Sequence, residues 1–178
     1  METTDTPLAY FITFTCYGTW LHGDDRGSVD RDNNVPGTPF LLPDSDRQSK
    51  EATNVAPYSL DDPHRQIALK AIVEIASKKA WTLWAAHVRS NHIHVVVTAA
   101  SPVERVMNDI KAAVSRRLNK AHPFERDCVR WTRHGSTRYL WRDEQLEAAV
   151  QYVVDDQGEK MAVFDSRLIP SRARSAAE

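Results

Sequence analysis

Two histidines separated by one residue, His92 and His94, open the run His-Ile-His-Val-Val-Val-Thr. Alternate side chains of a β-strand share a face, so the two imidazoles project side by side while Ile93 turns into the opposite layer. Two imidazoles on one face can share one divalent metal ion. The β-branched Val95, Val96 and Val97 that follow suit a central, rigid strand, the kind of element that best holds a metal constellation. A second group of reactive types comes late in the chain, where Tyr152 lies near the end of an aliphatic stretch and Asp156 follows four residues on. On a helix these two stand about 40° apart and face the same site, whereas Gln157 stands about 140° from Tyr152 and reaches that site only if the helix end is distorted. The tyrosine is the candidate nucleophile and the two histidines are the candidate metal ligands.

Elements to position these residues can be read along the chain. Residues 10–20 alternate and are rich in aromatic and β-branched types, which predicts a first strand. Residues 22–62 are dense in Gly, Pro, Asp, Asn and Ser and predict a long, irregular, acidic excursion. Ile67, Ala71, Ile72, Ile75 and Ala76 recur at helical spacing and predict a helix over 64–80, with Asp61 or Asp62 as cap and Pro63 inside the start. Residues 81–89 predict a strand, turned at Ser90-Asn91 into the histidine strand. A further helix is expected from Ser101-Pro102 to Lys120, with Val103, Val106, Met107, Ile110, Val114 and Leu118 on its apolar side. Residues 129–141 read as a strand pair broken at His134-Gly135-Ser136, and a last helix as running from Asp143 to Gln157, stopped by Gly158. The expected fold class is α+β, an antiparallel sheet with helices packed on it. One domain is expected over residues 1–165, with the insertion at 22–62 and a disordered tail at 166–178.

Composition excludes several classes. A chain of 178 residues can bury a core without disulfides, and its two cysteines, Cys16 and Cys128, form no Cys-x-x-Cys pair. No run approaches membrane-spanning length, so a cytoplasmic setting with no membrane partner is expected. The net charge of −1 hides an uneven distribution. Residues 1–62 carry four basic against eleven acidic side chains, and residues 104–142 carry ten basic against four acidic. That basic stretch, which includes Lys111, Arg116, Arg117 and Arg138, has the charge to neutralise several phosphates.

The segments Val88-Arg89-Ser90-Asn91-His92-Ile93-His94-Val95-Val96-Val97 and Ala149-Val150-Gln151-Tyr152-Val153-Val154-Asp155-Asp156-Gln157-Gly158 resemble the paired-histidine strand and the tyrosine helix of the HUH single-tyrosine transposases. That group includes the smallest insertion-sequence transposases and the REP-associated tyrosine transposases. The resemblance covers about residues 10–160 and implies a ferredoxin-like HUH nuclease fold and a divalent ion, Mg²⁺ or Mn²⁺. It also implies cleavage and strand transfer of single-stranded DNA, as at hairpin ends, through a covalent 5′-phosphotyrosine, and it is compatible with a homodimer. The family's usual third ligand is an amide four residues after the tyrosine; here that position is Asp156 and the amide, Gln157, comes one later, so the resemblance implies Asp156 as the third metal ligand, with Gln157 in reserve.

Arg89, Lys111, Arg116, Arg117, Ser136, Thr137 and Arg138 are the expected DNA contacts, the last three forming a basic turn with hydroxyls. Trp81, Trp84, Trp131 and Trp141 are available to stack on bases, with core packing favoured for the first two. Tyr139 is the alternative nucleophile, His87 reads as structural, and His22, His64, His122 and His134 carry no readable spacing. Two other readings use the same residues: a catalytically silent nucleic-acid-binding relative, and a metal-dependent phosphodiesterase.

Overall fold

A computed structural model describes residues 6–19 and 56–169. The insertion expected over 22–62 therefore lies outside the described residues, apart from its last few positions. Within the described residues the chain forms β1 (Ala9–Thr15), α1 (Asp62–Lys78), β2 (Thr82–Val88), β3 (His92–Thr98), α2 (Val103–Ala121), β4 (Ser136–Leu140), α3 (Asp143–Val154) and β5 (Ala162–Asp165). The strands make one sheet in the order β4-β1-β3-β2-β5, and each neighbouring pair is antiparallel. The first six elements make two interleaved split βαβ units, the ferredoxin-like arrangement, with β5 added beside β2.

The histidine strand is central, between β1 and β2, and the sequence shows why. A strand covered on both faces needs apolar residues on both, and β3 supplies Ile93, Val95 and Val97 to one layer and Val96 to the other, all fully buried. On the first face Ile12, Phe14, Val88 and those β3 residues pack against Ala68, Ile72 and Ile75 of α1 and Val106, Ile110 and Val114 of α2. The opposite face, shared with His92 and His94, meets α3 alone among the described helices, through Ala149, Val150, Val153 and Val154. Two helices thus cover one face of the sheet and a single helix crosses the other.

Several boundaries follow the expected signals. Asp61 caps α1, its carboxylate accepting from the His64 amide, with Pro63 in the first turn. The Ser90-Asn91 turn is closed by the Arg89 amide donating to the His92 carbonyl at 2.9 Å. Other boundaries differ. Pro102 rather than Ser101 stands at the N-cap of α2, and no side chain bonds there. The expected strand pair over 129–141 is one strand, β4, preceded by a single bridge from Trp131 to Cys16. Residues 132–135 bulge between them because an interior amine claims their carbonyls: Lys111 Nζ donates to those of Thr132 at 2.9 Å and His134 at 3.1 Å. Gly135 passes so close to β1 that a Cβ there would lie 2.6 Å from the Thr13 carbonyl oxygen. Residues 162–165, for which no element was expected, form β5, and the tail expected to be disordered over 166–178 opens with a 3-10 turn over Ser166–Leu168, while residues 170–178 lie outside the described set. No helix of the described residues is long and apolar enough to cross a membrane.

Candidate active site

His92 and His94 stand side by side on β3, ring centroids 4.7 Å apart and planes 76° from parallel. Each ring is oriented through Nδ1. Asn91 Oδ1 lies 2.6 Å from His92 Nδ1, so that nitrogen carries the proton and Nε2 is left with its lone pair. Thr13 Oγ1, directly across the ladder on β1, lies 2.7 Å from His94 Nδ1. Burial drives both rings toward neutrality. Desolvation, followed by the charge of Arg89, takes His92 down to about 4, and desolvation, followed by the proximity of His92, takes His94 down to about 3. Hydrogen bonding from Gln157 acts in the opposite sense on both and is outweighed. Neutral imidazole is the form that ligates metal.

Gln157 comes into the site because α3 stops early. The helix ends at Val154 instead of running to Gln157, and Gly158 turns the chain with φ +73°. Arg89, from the turn before β3, donates to the carbonyls of Gln157 at 2.5 Å and Glu159 at 3.1 Å, holding residues 157–159 against the histidine strand. Gln157 Nε2 donates to the Tyr152 carbonyl at 3.3 Å, which leaves Oε1 aimed at His94 Nε2, 3.1 Å away. Asp156, the expected ligand, is exposed, because the 100° rule that placed it beside Tyr152 holds only while the helix continues. Gln157, the reserve residue, is the one that stands beside His94.

Tyr152 sits on the last turn of α3, 44% exposed, with its ring edge-on to His94 at 5.9 Å and to Phe11 at 5.9 Å. A half-open phenol beside the His94 imidazole is reachable by a large substrate. Arg138, Phe11, Glu144, Gln145 and Ala149 line a groove with Tyr152. Arg138 pairs with Phe11 and Ser136 with Thr13, so both project from edge strand β4 onto the histidine face. Thr137 and Tyr139 alternate to the other face. There Tyr139 packs edge-on against Tyr10 at 5.3 Å, which separates the alternative nucleophile from the histidines by the thickness of the sheet.

The remaining expected DNA contacts are placed elsewhere. Lys111 is buried, its amine is spent on the 132–134 carbonyls, and desolvation lowers it to about 8. Arg116 and Arg117 are exposed on α2, in the layer opposite Tyr152, where Arg117 pairs with Glu74 of α1. Arg89 is committed to the 157–159 carbonyls. The basic count of residues 104–142 described a segment, not a surface facing the tyrosine. His87, read as structural, is fully buried: Val153 O lies 2.9 Å from its Nδ1, and its Nε2 accepts from the Met161 amide at 3.3 Å. Among the tryptophans, Trp81 is buried, Trp84 and Trp131 are half-buried, and Trp141 is exposed, stacked parallel on Tyr139. Phe11, Thr13 and Asn91 were not anticipated. The signal for Thr13 was its alternation in the first strand, but its partner becomes visible only with the register.

A ferredoxin-like sheet thus brings two histidines and an amide from one face together with a tyrosine on the crossing helix. Residues 57–155 match the family model described as transposase, IS200-like, and the chain belongs to that family. The matched span contains His92, His94 and Tyr152 and ends two residues before Gln157. Among solved structures, a REP-associated tyrosine transposase bound to a REP hairpin is similar at 12% identity, with 83% of this chain and 65% of that chain covered and a TM-score of 0.47. This chain thus spans just under two thirds of the length of that relative. A putative transposase from Deinococcus radiodurans R1 is similar at 14% identity, with 88% and 95% covered and a TM-score of 0.42. No curated protein matches.

Proposed function

We propose that the protein cleaves and rejoins single-stranded DNA in DNA transposition, with Tyr152 as nucleophile and His92, His94 and Gln157 holding a divalent ion. The observation that carries this reading is the convergence on His94 of the tyrosine ring and the Gln157 amide oxygen, delivered by α3 and the turn that follows it. Two nitrogen donors and one oxygen donor, all uncharged, would hold a divalent ion such as Mn²⁺ or Mg²⁺. Such an ion, when bound, would polarise the scissile phosphate and offset its developing charge.

The chain's own residues do the rest. Asn91 and Thr13 hold the imidazoles with Nε2 toward the site, and Arg89 holds the Gln157 turn in place. The Tyr152 oxygen attacks phosphorus in line, forming the O–P bond as the bond to the 3′ oxygen breaks; the phenol proton leaves and the departing 3′ oxygen takes one up. The product is a 5′-phosphotyrosine and a free 3′-hydroxyl. The link conserves the diester's energy, so attack by another 3′-hydroxyl reverses the step and joins strands without a nucleotide cofactor. Arg138, in the groove with Tyr152, is the side chain best situated to pair a phosphate, with the Ser136 hydroxyl on the same face. A hairpin end, as bound by the REP-associated relative, is the proposed substrate.

The test is incubation with Mn²⁺ and end-labelled single-stranded oligonucleotides carrying hairpins from the gene's flanks, resolved on a denaturing gel. Label is expected to migrate with the wild-type protein and to be absent for Tyr152→Phe, which should still bind DNA. An adduct retained in Tyr152→Phe would refute the assignment of the nucleophile, and binding without any adduct would favour the silent relative.

A further inference from the structure

We propose that the chain carries a second metal centre, in the α1–α2 layer and on the opposite side of the sheet from Tyr152, formed by His64, His122 and Glu125 and taking a borderline transition-metal ion such as Zn²⁺. His64 lies in the first turn of α1, His122 caps the C-terminus of α2, and Glu125 follows in a 3-10 turn. One ligand atom from each lies within 4.8 Å of the other two.

Three features distinguish this cluster from a chance grouping. First, His122 Nε2 is buried with no hydrogen-bond partner among the described residues, a costly state for a ring nitrogen that a metal would relieve. Second, the other two ligands are oriented from behind. Asp61 Oδ1 lies 2.5 Å from His64 Nδ1, which directs Nε2 at Glu125 Oε1, 3.0 Å away. That carboxylate–histidine arrangement is the usual support of a metal-bound imidazole. Third, the far oxygen of Glu125 accepts from the Tyr58 hydroxyl at 2.8 Å and from Arg130, itself anchored on Asn119 at 2.6 Å, so Oε1 remains the oxygen presented to the histidines.

Two imidazoles and one carboxylate are a zinc donor set. The His64 and His122 rings are stacked, 4.1 Å apart and 13° from parallel, and two parallel rings cannot both aim a lone pair at one ion. Binding therefore swings His122 out of the stack, and the His64 Nε2 proton shared with Glu125 is released to solvent. The ion would fasten the start of α1 to the end of α2.

The experiment uses chelator-stripped full-length protein, titrated with Zn²⁺ by calorimetry and with Co²⁺ by visible absorption, in wild type, His92→Ala/His94→Ala, His122→Ala and Asp61→Asn. The His92→Ala/His94→Ala protein is expected to bind one equivalent with proton release and a raised thermal midpoint. Adding His122→Ala should abolish that binding. Asp61→Asn keeps the helix cap but should weaken binding roughly 10–100-fold, the usual effect of losing a supporting carboxylate. Absence of stoichiometric binding in the His92→Ala/His94→Ala protein, or binding indifferent to His122→Ala and Asp61→Asn, would overturn the proposal. Neither result bears on Tyr152, since the adduct assay reads that site alone.

Discussion

At His94 the two ring nitrogens have unlike neighbours, a hydroxyl at Nδ1 and an amide oxygen at Nε2. An amide oxygen only accepts, so without metal the ring donates from Nε2 to Gln157 and accepts at Nδ1 from the Thr13 hydroxyl. Ligation needs the other tautomer, and the same hydroxyl then serves as acceptor. Thr13→Val, which removes that adaptability at nearly constant shape, is expected to weaken Mn²⁺ activation roughly 10–100-fold, the range for groups that orient a metal-bound histidine. The readout is Mn²⁺ dependence of adduct formation. Gln157→Ala should raise the Mn²⁺ requirement far more than Asp156→Ala; the reverse order would return Asp156 to the site. The histidine pair was legible because the two-residue period of a strand is rigid. Gln157 was legible only as a reserve, because the turn that carries it is held by Arg89, which is 68 positions away in sequence.

Among the elements, α2 shows how little a charge count says about direction. Its basic residues were legible, but which way they turn depended on packing: Arg116 and Arg117 look outward from the far layer, and Lys111 turns inward. Replacing Lys111 with Met should leave the 132–134 carbonyls unpaired and cost about 1–3 kcal/mol, with the salt dependence of DNA binding unchanged. Its titration supplies a pH signature. Lysine ionises near 10.4 in an unfolded chain and at about 8 here, so between those values the unfolded state binds more protons. Wild-type stability, measured by urea midpoint relative to Lys111→Met, is therefore expected to be flat below pH 8 and to rise from there toward pH 10. A constant difference would mean that the amine stays charged. The His64, His122 and Glu125 cluster was illegible for a related reason: its members lie on three elements that meet only once α1 and α2 pack.

Across the whole molecule, the alternation of strands and helices was enough to predict the antiparallel α+β layout. The missed element was β5, a strand of only four residues with too little pattern to separate it from a tail. It changes the mechanics of the molecule. The helix bearing Tyr152 begins just after β4, on one margin of the sheet, and the chain leaving it is stitched to β2 at the other margin through Ala85–Asp165 to Val88–Ala162 pairing. It is a crossbar bolted at both ends, and it cannot be lent to a neighbouring molecule without unzipping a strand. Nucleophile and metal ligands should therefore be supplied by the same polypeptide: mixing Tyr152→Phe chains with His94→Ala chains is expected to restore no adduct, whereas recovery approaching half the wild-type level would show that the bar is exchanged. Each copy would then be a self-sufficient cutting unit, and any partnership between copies would govern which ends are brought together, not whether they are cut.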